Sequence, residues 1–193
     1  MKKILILSLS VLSTLLFSAC TDQANQPESQ AENIIGKHTI RFTEPPKRIP
    51  APHSVDAPLL GNGFTGVALS GTPESQVFYV ARNDFWRLKS ALDESFPLVL
   101  GKIELDIPQL KDASYLVEQQ LYDAVSTARF TKGDISVFYK AFVPATEDML
   151  IVDLNMEGNG SVEGTAGISF LGKEEQINLS LIHISEPTRH SLI

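Results

Sequence analysis

"KIELDIPQL", Lys102–Leu110, alternates apolar and acidic side chains, with Ile103, Leu105 and Ile107 on one side and Glu104 and Asp106 on the other. Successive side chains of an extended strand point to opposite faces, so this is the pattern of an antiparallel strand with one face in a core and one in water. "DISVFYKAFV", Asp134–Val143, repeats the period with Ile135, Val137, Tyr139, Ala141 and Val143 on one face. Phe138 and Phe142 occupy its other face, so both faces are expected to meet apolar matter, as in stacked sheets. Further strand runs are "HTIRFT", "GVALSG", "QVFYVA", "YLVEQQLYDAVSTARFT", "DMLIVDLNM" and "GTAGISFLG".

Turn residues punctuate these runs at "EPP" (44–46), "GTPES" (71–75), "TKGD" (131–134), "PATED" (144–148) and "EGNGS" (157–161). Because "TKGD" separates two long alternating runs, residues 115–143 are expected to form a hairpin. No long stretch keeps a helical apolar stripe; "FWRLKSALDESF" comes nearest and is expected to form a turn or two. The fold class that follows is all-β, an antiparallel β-sandwich.

The two ends read differently from this middle. "MKKILILSLSVLSTLLFSAC" places two lysines before an apolar run that is too short to span a bilayer as a helix, then small residues before Cys20. That is the order of a secretory leader. "FSAC" resembles a bacterial lipobox, with Phe17 where Leu is usual, so residues 1–19 are expected to be a lipoprotein signal peptide and Cys20 the lipidation site. Cys20 is the single cysteine of the chain, which excludes a disulfide within it. Acyl chains on Cys20 would hold the protein to the membrane without spanning it. Residues 20–33 contain no large apolar side chain and read as a lipidated flexible tether, leaving 34–178 as the sandwich domain. The closing residues 179–193, "LSLIHISEPTRHSLI", resemble the translation of a transposase-type sequencing adaptor, with agreement from Leu179 through Arg189. The last native residue is then expected near Asn178, and His183 and His190 carry no chemistry of the protein.

Charge bounds the partners. The formal charge is −7, and loss of Lys2 and Lys3 with the leader makes it −9, so no basic stripe exists for a nucleic acid. "GNGFTG", Gly61–Gly66, fits a dinucleotide fingerprint literally, but a strand follows it where a phosphate-binding helix would have to begin. Gly61, Gly63 and Gly66 are expected instead to supply positive φ and close backbone approach in a loop entering a strand. His38 and His53 have no companion at metal-ligand spacing, so neither a metal nor a cofactor is expected. Glu118, Asp123 and the other carboxylates are scattered as on a solvated face, and no catalytic residue is nominated.

"RNDFW", Arg82–Trp86, holds the only tryptophan. An indole face stacks on the apolar face of a sugar while a neighbouring amide and carboxylate bond its hydroxyls, so Asn83, Asp84 and Trp86 are candidate glycan-binding residues. The bland alternative has Trp86 capping the core, with Asn83 and Asp84 closing a turn at the strand end.

Taken in order, "PLLGNGFTGVALSGTPESQVFYVARNDFW", "LGKIELDI", "YLVEQQLYDAVSTARF" and "KAFVPATEDMLIVDLNMEG" resemble the N-terminal region of family 95-type glycoside hydrolases, the α-L-fucosidase group, and related family 65-like enzymes. The family pattern N-x-D-x-W-x-G is altered here: Asn83 and Asp84 are adjacent and Arg87 follows Trp86. The resemblance implies a large β-sandwich of super-sandwich type, incomplete in this chain, ahead of an inverting (α/α)6 catalytic barrel whose acid and base would lie beyond residue 178. It further implies an envelope protein, periplasmic or at the cell surface, whose partner is a glycan, with this fragment itself inactive. The alternative is a stand-alone glycan-binding surface lipoprotein. Several hundred downstream residues of helical periodicity would favour the first, and an early stop the second.

Overall fold

The computed structural model describes residues 30–50, 55–87 and 95–170, and the backbone of 176–185. The leader and Cys20 lie outside the described residues, as do His53 and positions 88–94 of the expected helical turn. The short helix α1, Gln30–Ile35, precedes the strands and buries none of its residues. It occupies the end of the segment expected to be a tether.

Eleven strands follow among the described residues. They are β1 (Thr39–Phe42), β2 (Leu59–Gly61), β3 (Thr65–Thr72), β4 (Ser75–Arg87), β5 (Phe96–Asp106), β6 (Ser114–Gln120), β7 (Val125–Lys132), β8 (Ile135–Phe142), β9 (Ile151–Glu157), β10 (Ser161–Phe170) and β11 (Gln176–Ser185). They form two antiparallel sheets, ordered β1-β6-β7-β8-β9 and β11-β10-β5-β4-β3-β2. This is the all-β sandwich expected from the alternating runs. The chain starts in the first sheet, builds most of the second, and crosses back after β5. It crosses again after β9.

The core lies between the sheets. Val117, Ala128, Phe130, Val137, Tyr139, Ala141 and Met156 face inward from the first, and Leu60, Val67, Leu69, Phe78, Leu105 and Val162 from the second. Phe78 meets Tyr139 edge-on with ring centroids 5.7 Å apart, and Phe130 lies 6.1 Å from Tyr139. Such pairs add to the area they bury, because a ring edge is electropositive and a ring face electronegative. The Tyr139 hydroxyl is deep in this core and donates to Gln76 Oε1 at 3.1 Å, while Gln76 Nε2 donates to the Thr72 carbonyl. Among the described residues no buried side-chain polar atom is without a partner.

The deciding stretch ends as a strand at Asp106. Pro108 has no N–H to donate to a ladder, so Pro108–Leu110 closes as a 3-10 turn and Leu110 plugs the end of the sandwich, 1% exposed. Return to the second sheet after β9 depends on Gly158, whose φ of 112° and close approach to the Asp134 carbonyl leave no room for a side chain.

Two expectations change. "YLVEQQLYDAVSTARFT" is not one long strand: β6 and β7 are separated by a turn at 121–124, so residues 115–143 form a three-stranded meander. Ala124 takes the left-handed position there at φ 53°, a place usually filled by Gly, and the exposed Leu121 and Tyr122 continue the apolar rhythm through the turn. Phe138 and Phe142 do not meet another apolar layer among the described residues. They are half-buried on the outer face, with the Arg129 guanidinium 5.2 Å from the Phe138 ring and Lys140 Nζ 6.0 Å from Phe142. The backbone of β11 pairs along β10, from Ser161 opposite Ser185 to Ser169 opposite Gln176. Backbone pairing requires no particular side chain, so this strand bears on the edge of the sheet and not on the origin of residues 179–185.

The core polar contact predicts two outcomes. Tyr139→Phe strands a buried Gln76 oxygen and is expected to cost about 1–3 kcal/mol, measured by urea denaturation. Burial pushes the Tyr115 hydroxyl from 10.0 up to about 12, and burial together with the charge of Tyr115 pushes Tyr139 higher still. The unfolded chain therefore releases these protons first, so stability is full below pH 10.0 and is lost as pH rises through about 12. Alkaline titration followed by circular dichroism and tyrosinate absorbance should show Tyr115 and Tyr139 ionising together with loss of the fold.

Candidate functional site

At the end of β4 the chain outruns β3, whose register with it stops at Thr65 opposite Arg82. Beyond that point the pairing with β5 also slips, resuming only at Trp86 opposite Pro97. Asn83, Asp84, Phe85 and Trp86 thus form a projecting, exposed ledge. They lie within a strand and do not close a turn.

Each candidate residue has a definite role in that ledge. Asn83 Nδ2 donates to the Gly63 carbonyl at 2.8 Å and the Asn83 N–H donates to the Phe64 carbonyl at 2.9 Å, so this residue fastens β4 to the loop before β3. Trp86 Nε1 donates to the Asn83 carbonyl at 2.6 Å. With its polar atom turned inward, the indole is left 47% exposed, and it does not cap the core. Asp84 Oδ1 accepts from Arg82 Nε at 3.1 Å, and this bond holds the Asp84 carboxyl below its usual value and the guanidinium above its own.

Sequence reasoning did not find Phe64, Arg82, Asn62 and Asp148. The Arg82 guanidinium lies 4.2 Å from the centre of the Phe64 ring, itself 36% exposed, so the Arg82–Asp84 ion pair stands beside an exposed aromatic. Arg82 also approaches Asp148 at 3.6 Å. Asp148 accepts from Thr65 Oγ1 at 3.2 Å and Asn62 Nδ2 at 3.3 Å, while Asn62 Nδ2 reaches the carbonyls of Pro144 and Glu147, each at 3.2 Å. Asn62 Oδ1 in turn accepts from the backbone of Phe64 and Thr65. "GNGFTG" is therefore a hairpin loop stapled to the loop before β9.

Its glycines divide. Gly63 needs its φ of 90°, and a Cβ on Gly61 would lie 2.8 Å from the Thr65 carbonyl oxygen. Gly66 is extended in β3 with open space around it, so neither reason applies to it. It instead borders an apolar groove of about 500 Å³ on the outer face of the second sheet, with Leu59, Ala68, Tyr79, Ala81 and Val99.

The carboxylates of the ledge accept from donors: Asp84 from Arg82, and Asp148 from Asn62 and Thr65. A glycosidase acid needs its proton held up to a raised pKa, and Asp84 is shifted the other way. Among the described residues no three His, Cys, Asp or Glu side chains gather as a metal site, and no helix is long and apolar enough to cross a membrane. In comparison with known proteins the chain matches no family model and no curated relative.

Asp148→Ala removes the acceptor shared by Asn62, Thr65 and Arg82. It is expected to lower stability by about 1–2 kcal/mol in urea denaturation while leaving strand content unchanged by circular dichroism.

Proposed function

We propose that the chain is the non-catalytic N-terminal β-sandwich of an exported, lipid-anchored glycoside hydrolase, and that its own part is to hold glycan near the membrane-tethered enzyme. The observation that carries this reading is the half-exposed Trp86 indole, whose N–H is already satisfied by Asn83 and whose apolar face is offered to solvent. A sugar ring has an apolar C–H face and a rim of hydroxyls. Trp86 suits the face, while Asp84 and Arg82 suit the rim. Asn83 serves this surface indirectly, because its side chain is spent on Gly63 and it positions Trp86 through its carbonyl.

The leader order, the cysteine placed for lipidation and the likeness to glycoside hydrolase N-terminal regions support the same reading. The acid and base of hydrolysis belong, on this reading, to a barrel supplied in cis outside these residues. An acidic chain fits an uncharged polyhydroxylated ligand better than a polyanion.

Trp86 is the single tryptophan, so its emission reports the ledge directly. Titration of the full chain with neutral gluco-, manno- and fuco-configured oligosaccharides is expected to give a saturable change in that emission. Calorimetry with Trp86→Ala should show affinity lost at least tenfold, about 1.4 kcal/mol. Unchanged affinity in Trp86→Ala, or no saturable response to any sugar, would refute the role of the ledge.

A further inference from the structure

The geometry points to a second glycan-binding site, on the outer face of the first sheet and separate from the Trp86 ledge. A groove of about 430 Å³ crosses β6 to β9 there, within the ~300–1,000 Å³ typical of ligand clefts. Its composition follows from the register. Glu118 is opposite Thr127, Thr127 opposite Lys140, and Lys140 opposite Asp153, so four neighbouring strands each place one polar side chain in a single row. With strands about 4.8 Å apart, the row is about 14 Å long. Arg129, Phe138 and Asn155 form the adjacent row two residues along.

Three features suit this groove to a neutral sugar chain lying across the strands. Two acids, Glu118 and Asp153, stand against two bases, Arg129 and Lys140, so a ligand with strong net charge gains nothing there. Donors and acceptors alternate along the row, as a chain of hydroxyls requires. The floor is the half-buried Phe138 with the Arg129 guanidinium over it, a flat stacked surface for the C–H face of a ring.

Three of the four charged side chains, Glu118, Arg129 and Asp153, also have partners before any ligand arrives. Glu118 is bound to Arg41 at 2.7 Å, Arg129 to Glu157 at 2.8 Å, and Asn155 Nδ2 donates to Asp153 Oδ1 at 3.2 Å. Such ordering reduces the entropy lost on binding. The ligand class rests on the reading proposed above, whereas the groove itself does not.

The test is amide chemical-shift mapping of the isotopically labelled full chain with the same neutral oligosaccharides at millimolar concentration. Saturable shifts are expected at Thr127, Phe138, Lys140 and Asn155, persisting in Trp86→Ala and weakened at least tenfold in Asp153→Ala and in Thr127→Val. Both substitutions are on the outer face, and an unchanged spectrum elsewhere shows the fold intact. Shifts confined to the surroundings of Trp86 would overturn this site and leave the ledge standing. Groove shifts without any response of Trp86 emission would do the reverse. No shifts with any sugar, or shifts with a neutral hexapeptide in place of sugars, would overturn the assignment.

Discussion

A tyrosine hydroxyl in the middle of an apolar core constrains everything around it. Tyr139 is 2% exposed, and its proton has one acceptor, Gln76 on the opposite sheet. Burying that hydroxyl without a partner would cost a few kcal/mol, so the two sheets are held at the offset that brings β8 over the start of β4. Phe78, two residues further along β4, meets the same ring edge-on at that offset. Hydrophobic area drives the sheets together without direction, while this polar contact and the ring geometry select one arrangement.

The second tie between the sheets lies toward the other end of β3. Asn62 and Thr65 reach Asp148 there, across more than eighty residues of sequence. With both ends of the sandwich joined, the overhang of β4 becomes a fixed ledge. Trp86 then stays outside for a local reason, since its N–H is satisfied by Asn83 and the strand beside it has ended. The charge pair Arg82–Asp84 stands beside the part-exposed Phe64 ring.

Much of this was legible in the residues. Ile103, Leu105 and Ile107 announced their inward face, as did Val137, Tyr139 and Ala141, because a half-buried strand writes its geometry at period two. The turn at 121–124 was not legible: it contains neither Gly nor Pro, and Leu121 and Tyr122 continue the alternation through it. Phe138 misled for a related reason. An aromatic on an outer face reads as buried, and only the position of Arg129, directly opposite on β7, shows how it is covered. Trp86 and its neighbours were recognisable as chemistry-bearing types, but Asn83 could not be assigned its structural task without the loop at Gly63.

By itself the sequence determined the strand faces, the turn at 157–161, the acidic balance and the absence of any second cysteine to pair with Cys20. These depend on neighbours along the chain, or on composition alone. Only the tertiary structure decided that Gln76 answers Tyr139, that Asp148 holds the "GNGFTG" loop, and that Glu118, Thr127, Lys140 and Asp153 share one row. Those are pairings between strands, and alternation specifies which face a residue takes without specifying which residue lies opposite.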